Sequence, residues 1–165
     1  MSTTPNIELI MNTTVGIEVE MTGITREAAA RVAGTVFPGS RVWHKGGSYD
    51  KWTCTDNRGR DWDFVYDSSI RSPGDRHTTK CELNTPPITY AADMEIFQEL
   101  IRSLRRAGAV SGTQYGCGIH VHVSAKEHTA KTVRNFIHLV YSNDELVRKS
   151  LGVTSDRQRW CQPID

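Results

Sequence analysis

From Thr13 to Thr22 apolar and polar residues take turns: Val15, Ile17, Val19 and Met21 fall on alternate positions, with Glu18 and Glu20 between them. A period of two predicts a strand with one face for a core and another for water or chemistry. The period then lengthens. TREAAARVAG, Thr25 to Gly34, is alanine-rich, opens on a capping residue and closes on glycine, which predicts a helix. Between Val42 and Phe64, aromatic and β-branched residues are broken by Gly46-Gly47 and by Asp56-Asn57-Arg58-Gly59. The second break predicts a hairpin joining strands near 48–55 and 60–66. A short strand, TKCELN, is stopped by Pro86-Pro87. In DMEIFQELIRSLRRAG, Met94, Phe97, Leu100, Ile101 and Leu104 recur at helical spacing, and Gly108 ends the run.

A second alternating run follows in YGCGIHVHVS. His120 and His122 share one face; Ile119, Val121 and Val123 share the other, which the pattern assigns to the core. Ser124-x-x-Glu127 reads as a capping box opening a helix whose buried stripe is Val133, Phe136, Ile137 and Val140. NDELVRKSLG predicts a further short helix. The order of elements defines an α+β class, an antiparallel sheet with helices on one side. At 165 residues the expectation is one domain over 1–165.

Composition narrows the partners. Twenty Lys and Arg oppose nineteen Asp and Glu, a net charge of +1, so no electrostatic footprint for nucleic acid or an anionic membrane is present. No apolar run reaches the length of a bilayer span, and the first residues carry no basic stretch followed by an apolar one. The expectation is a cytoplasmic protein with no membrane partner. Cys54, Cys81, Cys117 and Cys161 are irregularly spaced without a CxxC pair, which favours reduced thiols.

The candidate chemistry lies on the polar faces of the two alternating runs. Glu18 and Glu20 sit about 7 Å apart on one strand face, a placement poorly tolerated in an interior without a cation. His120 and His122 form the matching pattern on a second strand. Should both faces share a cavity, carboxylates and imidazoles converge, a donor set suited to Mg²⁺ or Mn²⁺ and compatible with Zn²⁺. Glu82 adds a third carboxylate at the end of a proline-stopped strand. Asp67, in YDSSI after WDFVY, is either a further site carboxylate or the acceptor of an Asx-turn.

Five motifs in order, GIEVE, WDFVYDSSI, CELNTPP, GCGIHVHVS and RQRWCQP, give the chain its resemblance to the amidoligase family, relatives of glutamine synthetase and glutamate–cysteine ligase. The similarity runs from about Gly16 to Pro163. It implies a curved antiparallel sheet holding ATP and divalent ions, Mg²⁺ or Mn²⁺, and the joining of a carboxylate to an amine through an acyl phosphate. The carboxylate and amine would be small molecules or peptides. By that similarity Glu18, Glu20, Glu82 and His120 are ion ligands, and His122 and Ser124 contact nucleotide. Asp67 handles the amine, and Arg157 or Arg159 holds phosphate and substrate carboxylate. The chain has no P-loop signature, consistent with phosphates held through metal. The sequence stops at Asp165, just after the arginine motif, where members of that family continue; a domain short at its C-terminal end, or a site completed in a homo-oligomer, is the corresponding expectation. Two other readings stand beside the ligase: a zinc protein using Cys117, His120 and His122 with Cys81, and a non-catalytic binding protein on the same scaffold.

Overall fold

The protein's structure, a computed structural model, describes residues 7–157, 160 and 162. A short helix α1 (Ile7–Asn12) leads into β1 (Thr14–Met21), α2 (Arg26–Val36), β2 (Arg41–Gly46), β3 (Lys51–Thr55) and β4 (Asp61–Val65). Then come β5 (Cys81–Asn84), β6 (Ile88–Thr89), α3 (Tyr90–Arg106), β7 (Ile119–Val123), α4 (Ala130–Ser142) and α5 (Asp144–Ser150). Two compact units result, one up to Ser124 and one from Ala125 onward. No helix of the described residues is long and apolar enough to cross a membrane.

All seven strands belong to one antiparallel sheet, ordered β2-β3-β4-β5-β1, with β6 and β7 also paired to β1. The sheet does not close. Glu18 faces Asn84 of β5 on one side and His120 of β7 on the other; Val15 faces Ile88 of β6 and Val123 of β7. So β5 and β6 share one edge of β1, and β7 takes the other. Pro86 and Pro87 interrupt the β5–β6 edge because proline has no N–H to donate. Thr85 carries the ladder across the gap: its N–H donates to the Ile17 carbonyl at 3.0 Å and its hydroxyl accepts from the Ile17 N–H at 2.9 Å.

The face of the sheet with odd-numbered β1 residues is the core face. Ile17, Val19, Met21, Cys81, Leu83, Phe64, Trp62 and Cys54 are buried there beneath α2 and α3. Helix α2 starts where expected, with the Thr25 hydroxyl accepting from the Ala28 N–H, and presents Ala29, Ala30 and Ala33, all fully buried. Methyl-sized side chains let its backbone approach the sheet closely. Helix α3 begins at Tyr90, capped by Thr89, three residues before the expected Asp93. Asp93 is buried, accepting from Arg58, Arg60 and the Thr89 N–H. The hairpin at Asp56–Gly59 forms as the sequence predicts, whereas α1 and β2 have no counterpart in that reading.

Three expectations are corrected. Helix α4 is capped by Thr129, in a box with Thr132, so Ser124 and Glu127 lie outside the cap. Its apolar stripe is not enclosed: Val133, Phe136 and Ile137 are exposed and Val140 is half-buried. Helices of 13 and 7 residues and a 3₁₀ turn, Ser155–Arg157, are the regular elements described for that unit, too little to build a core around a stripe. Ile119, Val121 and Val123 are also exposed, at 65%, 58% and 61%. They belong to an edge strand that neither α2 nor α3 covers, and a groove lined by Ile17, Val19, Phe97, Ile101, Ile119 and Val121 separates α3 from β7.

One buried charge holds two loops in place. Arg26 is 3% exposed; its guanidinium binds the Asp50 carboxylate and donates to the carbonyls of His77 at 3.0 Å and Lys80 at 2.8 Å. Asp50 has φ +42°, a left-handed backbone conformation that a non-glycine residue adopts only under external hold. The arginine holds the Asp50 carboxyl below the usual carboxylate range, against the opposing effect of burial and with help from His44. Arg26→Met therefore lowers stability by about 2–3 kcal/mol. Arg31→Met, which removes an exposed pair with Glu27 and a 5.9 Å contact over the Trp52 ring, costs less than about 1 kcal/mol. Urea unfolding of the two variants checks the contrast.

Candidate functional site

The even-numbered residues of β1 lie on the opposite, open face. Register carries this face outward: Glu18 lies beside His120 and Asn84, Glu20 beside Glu82, Asn84 beside Asp63, and Asp63 beside Thr53. Alternation and register together thus bring groups from five strands to one surface.

Glu18 sits between the two histidines. His120 Nδ1 is 2.8 Å from Glu18 Oε2, and His122 Nε2 is 3.1 Å from Oε1. Burial pushes the Glu18 carboxyl up, but hydrogen bonds and charge from His120 and His122 outweigh it and keep the carboxyl below its ordinary range. Glu20 is 5% exposed and accepts the Gly118 N–H on Oε2 at 2.7 Å. The Glu20 N–H in turn reaches the Gly118 carbonyl, so β7 is clamped to β1 where the site begins. Glu82 accepts from Asn84 Nδ2 on Oε1 at 2.9 Å. Asp67 accepts the Ser69 N–H on Oδ1 at 2.7 Å, an Asx-turn that fixes its side chain at the end of β4. The Asx-turn reading of Asp67 is thereby met, and Glu20, Asp67 and Glu82 each bring a carboxylate oxygen within 4.8 Å of the others.

Gly116 explains the glycine-rich approach to the histidine strand. It has φ +71°, and a Cβ there would meet the Ser69 carbonyl at 3.1 Å. The Arg71 N–H donates to the Tyr115 carbonyl at 2.7 Å beside it. Only a residue without a side chain lets the turn before β7 lie against the turn that carries Asp67.

Crowding shows in the titration of Glu82. Burial, and then the charges of Glu18, Asp67 and Glu20, push its carboxyl up to about 7, with Asn84 pulling the other way. Oxygen-only donors at this spacing suit a hard dication such as Mg²⁺ or Mn²⁺. Beside the carboxylates opens a cavity of about 410 Å³ lined by Tyr49, Lys51, Val65, Tyr66, Asp67 and Glu82, among others. A second cavity of the same volume lies by Asp56, Arg60 and Asp93, where the charges already neutralise one another.

Of the residues singled out in the sequence, Glu18, Glu20, Glu82, Asp67, His120 and His122 share the open face or its rim. Ser124 follows β7, with its N–H on the Thr14 carbonyl at 2.9 Å. Arg157 belongs to the second unit, and Arg159 lies outside the described residues. Cys117 and Cys81 join no cluster of three or more metal-binding groups among the described residues. Cys81 is fully buried on the core face, opposite the histidines, and its thiol is pushed up by burial to about 12. Sequence reasoning missed Asn84, Lys51, Tyr49 and Tyr66. Asn84 was accessible from strand alternation with Glu82; the other three needed cross-strand register and a turn.

The open antiparallel sheet of this α+β chain thus carries clustered carboxylates and two imidazoles on its bare face. The family model described as "Putative amidoligase enzyme" matches residues 11–165, and the chain belongs to that family. No curated protein and no solved structure matches it.

The sign of the pH dependence follows from Glu82. Its folded pKa of about 7 exceeds the ordinary 4.5, so between those values the folded state holds the extra proton. Stability of the metal-free protein falls as pH rises through that window; an ion held by Glu82 would need the carboxylate, so Mn²⁺ affinity should rise with it. Calorimetric titration with Mn²⁺ at pH 6, 7 and 8 should give tightening steps that level off above about 7.

Proposed function

We propose that the protein is an ATP-dependent carboxylate–amine ligase on a glutamine synthetase-like sheet. The observation that carries this reading is the convergence of Glu20, Asp67 and Glu82 within 4.8 Å beside the Glu18–His120 pair, in a chain of the amidoligase family. Glu20 and Glu82, with Asp67 at the rim, fit one Mg²⁺ or Mn²⁺; Glu18 and His120 offer the donors for another. Such ions supply neutralisation of phosphate charge and hold the reacting groups in line.

The reaction moves the γ-phosphoryl group of ATP to a substrate carboxylate, giving an acyl phosphate and ADP. An amine then attacks the acyl carbon; the C–O bond breaks, inorganic phosphate leaves, and the amine proton passes to a carboxylate at the rim. Asp67, held by the Ser69 N–H, is our candidate for meeting the amine. His122 and Ser124 are assigned to the nucleotide, and Arg157 or Arg159 to phosphate and carboxylate, on the strength of the family resemblance. The carboxylate and amine are small molecules or peptides.

The test uses the full chain. Binding of a non-hydrolysable ATP analogue should require Mg²⁺ or Mn²⁺ and vanish in EDTA. Glu20→Gln and His120→Ala should each weaken it at least about 100-fold, more than loss of an outer-sphere partner does, with circular dichroism unchanged. Replacing the amine by hydroxylamine should convert the acyl phosphate to a hydroxamate. Nucleotide binding that is equally tight in EDTA would sink the proposal.

A further inference from the structure

The cavity beside the carboxylates is lined by one cation among the described residues, Lys51. Its place follows from register. Glu20 pairs with Glu82 and Glu82 with Val65; carrying the β3–β4 register one step on from Trp52–Phe64 sets Lys51 next in that transverse row. Neighbouring strands are spaced about 4.8 Å apart, so the Lys51 backbone stands roughly 10 Å from that of Glu82, with Val65 as a smooth apolar floor between them. Tyr49 and Tyr66 form walls, tied by the Tyr66 N–H on the Tyr49 carbonyl at 2.8 Å.

Lys51 is held at the cavity. Its Nζ donates to Asp63 Oδ2 at 2.7 Å, and Asp63 Oδ1 accepts from Thr53 at 2.6 Å. One of three ammonium N–H groups is thus engaged, leaving donors for a ligand. The strained Asp50 between Tyr49 and Lys51, gripped by buried Arg26, fixes where both side chains leave the chain. The opposite end of the row is acidic, and an anion finds no partner there without a metal ion.

We infer that Lys51 anchors a second carboxylate of the substrate, so that the ligase takes a dicarboxylate whose two ends are shared between Lys51 and the acidic end of the row. This rests on the reading of the site as a ligase. It predicts selectivity for a diacid over its monoacid analogue, with the apolar chain between the carboxylates lying on Val65.

Glutarate and pentanoate are the probes, titrated calorimetrically with and without Mn²⁺ and a non-hydrolysable ATP analogue. The parent should bind glutarate about tenfold more tightly than pentanoate, the scale of one charge-assisted hydrogen bond. Lys51→Gln should erase that preference while leaving nucleotide affinity within about twofold, and Lys51→Arg should recover part of it. A merely structural lysine would lower the urea midpoint of Lys51→Gln and leave the preference intact, which overturns the inference. So does a parent without the preference, or a Lys51→Gln variant that loses nucleotide instead of diacid. A parent that binds no nucleotide yet keeps a Lys51-dependent preference supports the anchor and fails the ligase reading.

Discussion

Mutual repulsion among Glu20, Asp67 and Glu82 is the constraint to which the rest of this structure answers. Carboxylates so close and partly shielded from water must share a proton or a cation. The framework nevertheless fixes them. Glu20 is held by the Gly118 N–H, Asp67 by the Ser69 N–H and Glu82 by the Asn84 amide, each through one oxygen among the described residues. In each carboxylate the other oxygen has no such donor. A sheet that only needed to fold would place apolar or singly charged groups there; this one organises carboxylates, the donor set on which the proposed dication rests.

Holding such a cluster needs rigidity from behind, and the core face supplies it. Three fully buried alanines set α2 directly against the sheet, while Trp62, Phe64, Leu83 and Leu100 fill the layer. Buried aromatic and aliphatic side chains of that size contribute roughly 1.5–3 kcal/mol each, ample to offset local repulsion on the other face. The polar connections are tied down separately. Asp56, Arg60 and Asp93 link the β3–β4 hairpin to the start of α3. Arg26 joins the β2–β3 turn to the loop before β5. The turn that brings Tyr49 to the cavity is therefore held by a buried ionic hydrogen bond as well as by its own sequence.

How much of this was legible in the sequence depends on which geometry a feature needs. Alternation along a strand needs only the chain itself, so the shared faces of Glu18 with Glu20 and of His120 with His122 could be read directly. So could the Thr25 cap and the Asp56–Gly59 hairpin. Neighbours across strands need register, which no local pattern specifies; Lys51 looked like any surface lysine until β4 and β5 placed it in the row of Glu82. Burial is a property of what covers a face, so apolar alternation misjudged Ile119, Val121 and Val123, and helical periodicity misjudged Phe136 and Ile137. The α4 cap shows a competition between similar signals. Thr129 with Thr132 displaced Ser124 with Glu127 because the capping hydroxyl must stand immediately before the first helical turn.

Charge along the open face is graded, and the grading orients whatever binds. Among the described residues, negative groups accumulate at β1 and β5 without a matching cation other than the histidines beside Glu18. From β4 outward the charges are already matched: Lys51 with Asp63, Lys45 with Asp61, and Trp43 with Arg41 and Lys45 each 5.4 Å from its ring. Exposed matched pairs attract a ligand weakly and are screened by salt, whereas half-buried Lys51 keeps two ammonium N–H groups beyond its bond to Asp63. Electrostatic demand is therefore confined to the middle strand, and the nearest cationic side chain that a ligand in the adjoining cavity meets is Lys51. On the proposed ligase reading, a molecule bearing both metal-bridged phosphate and free carboxylate would be pulled toward opposite ends of one row. That directional pull, set by strand spacing, can align two reacting groups without a dedicated phosphate-binding loop.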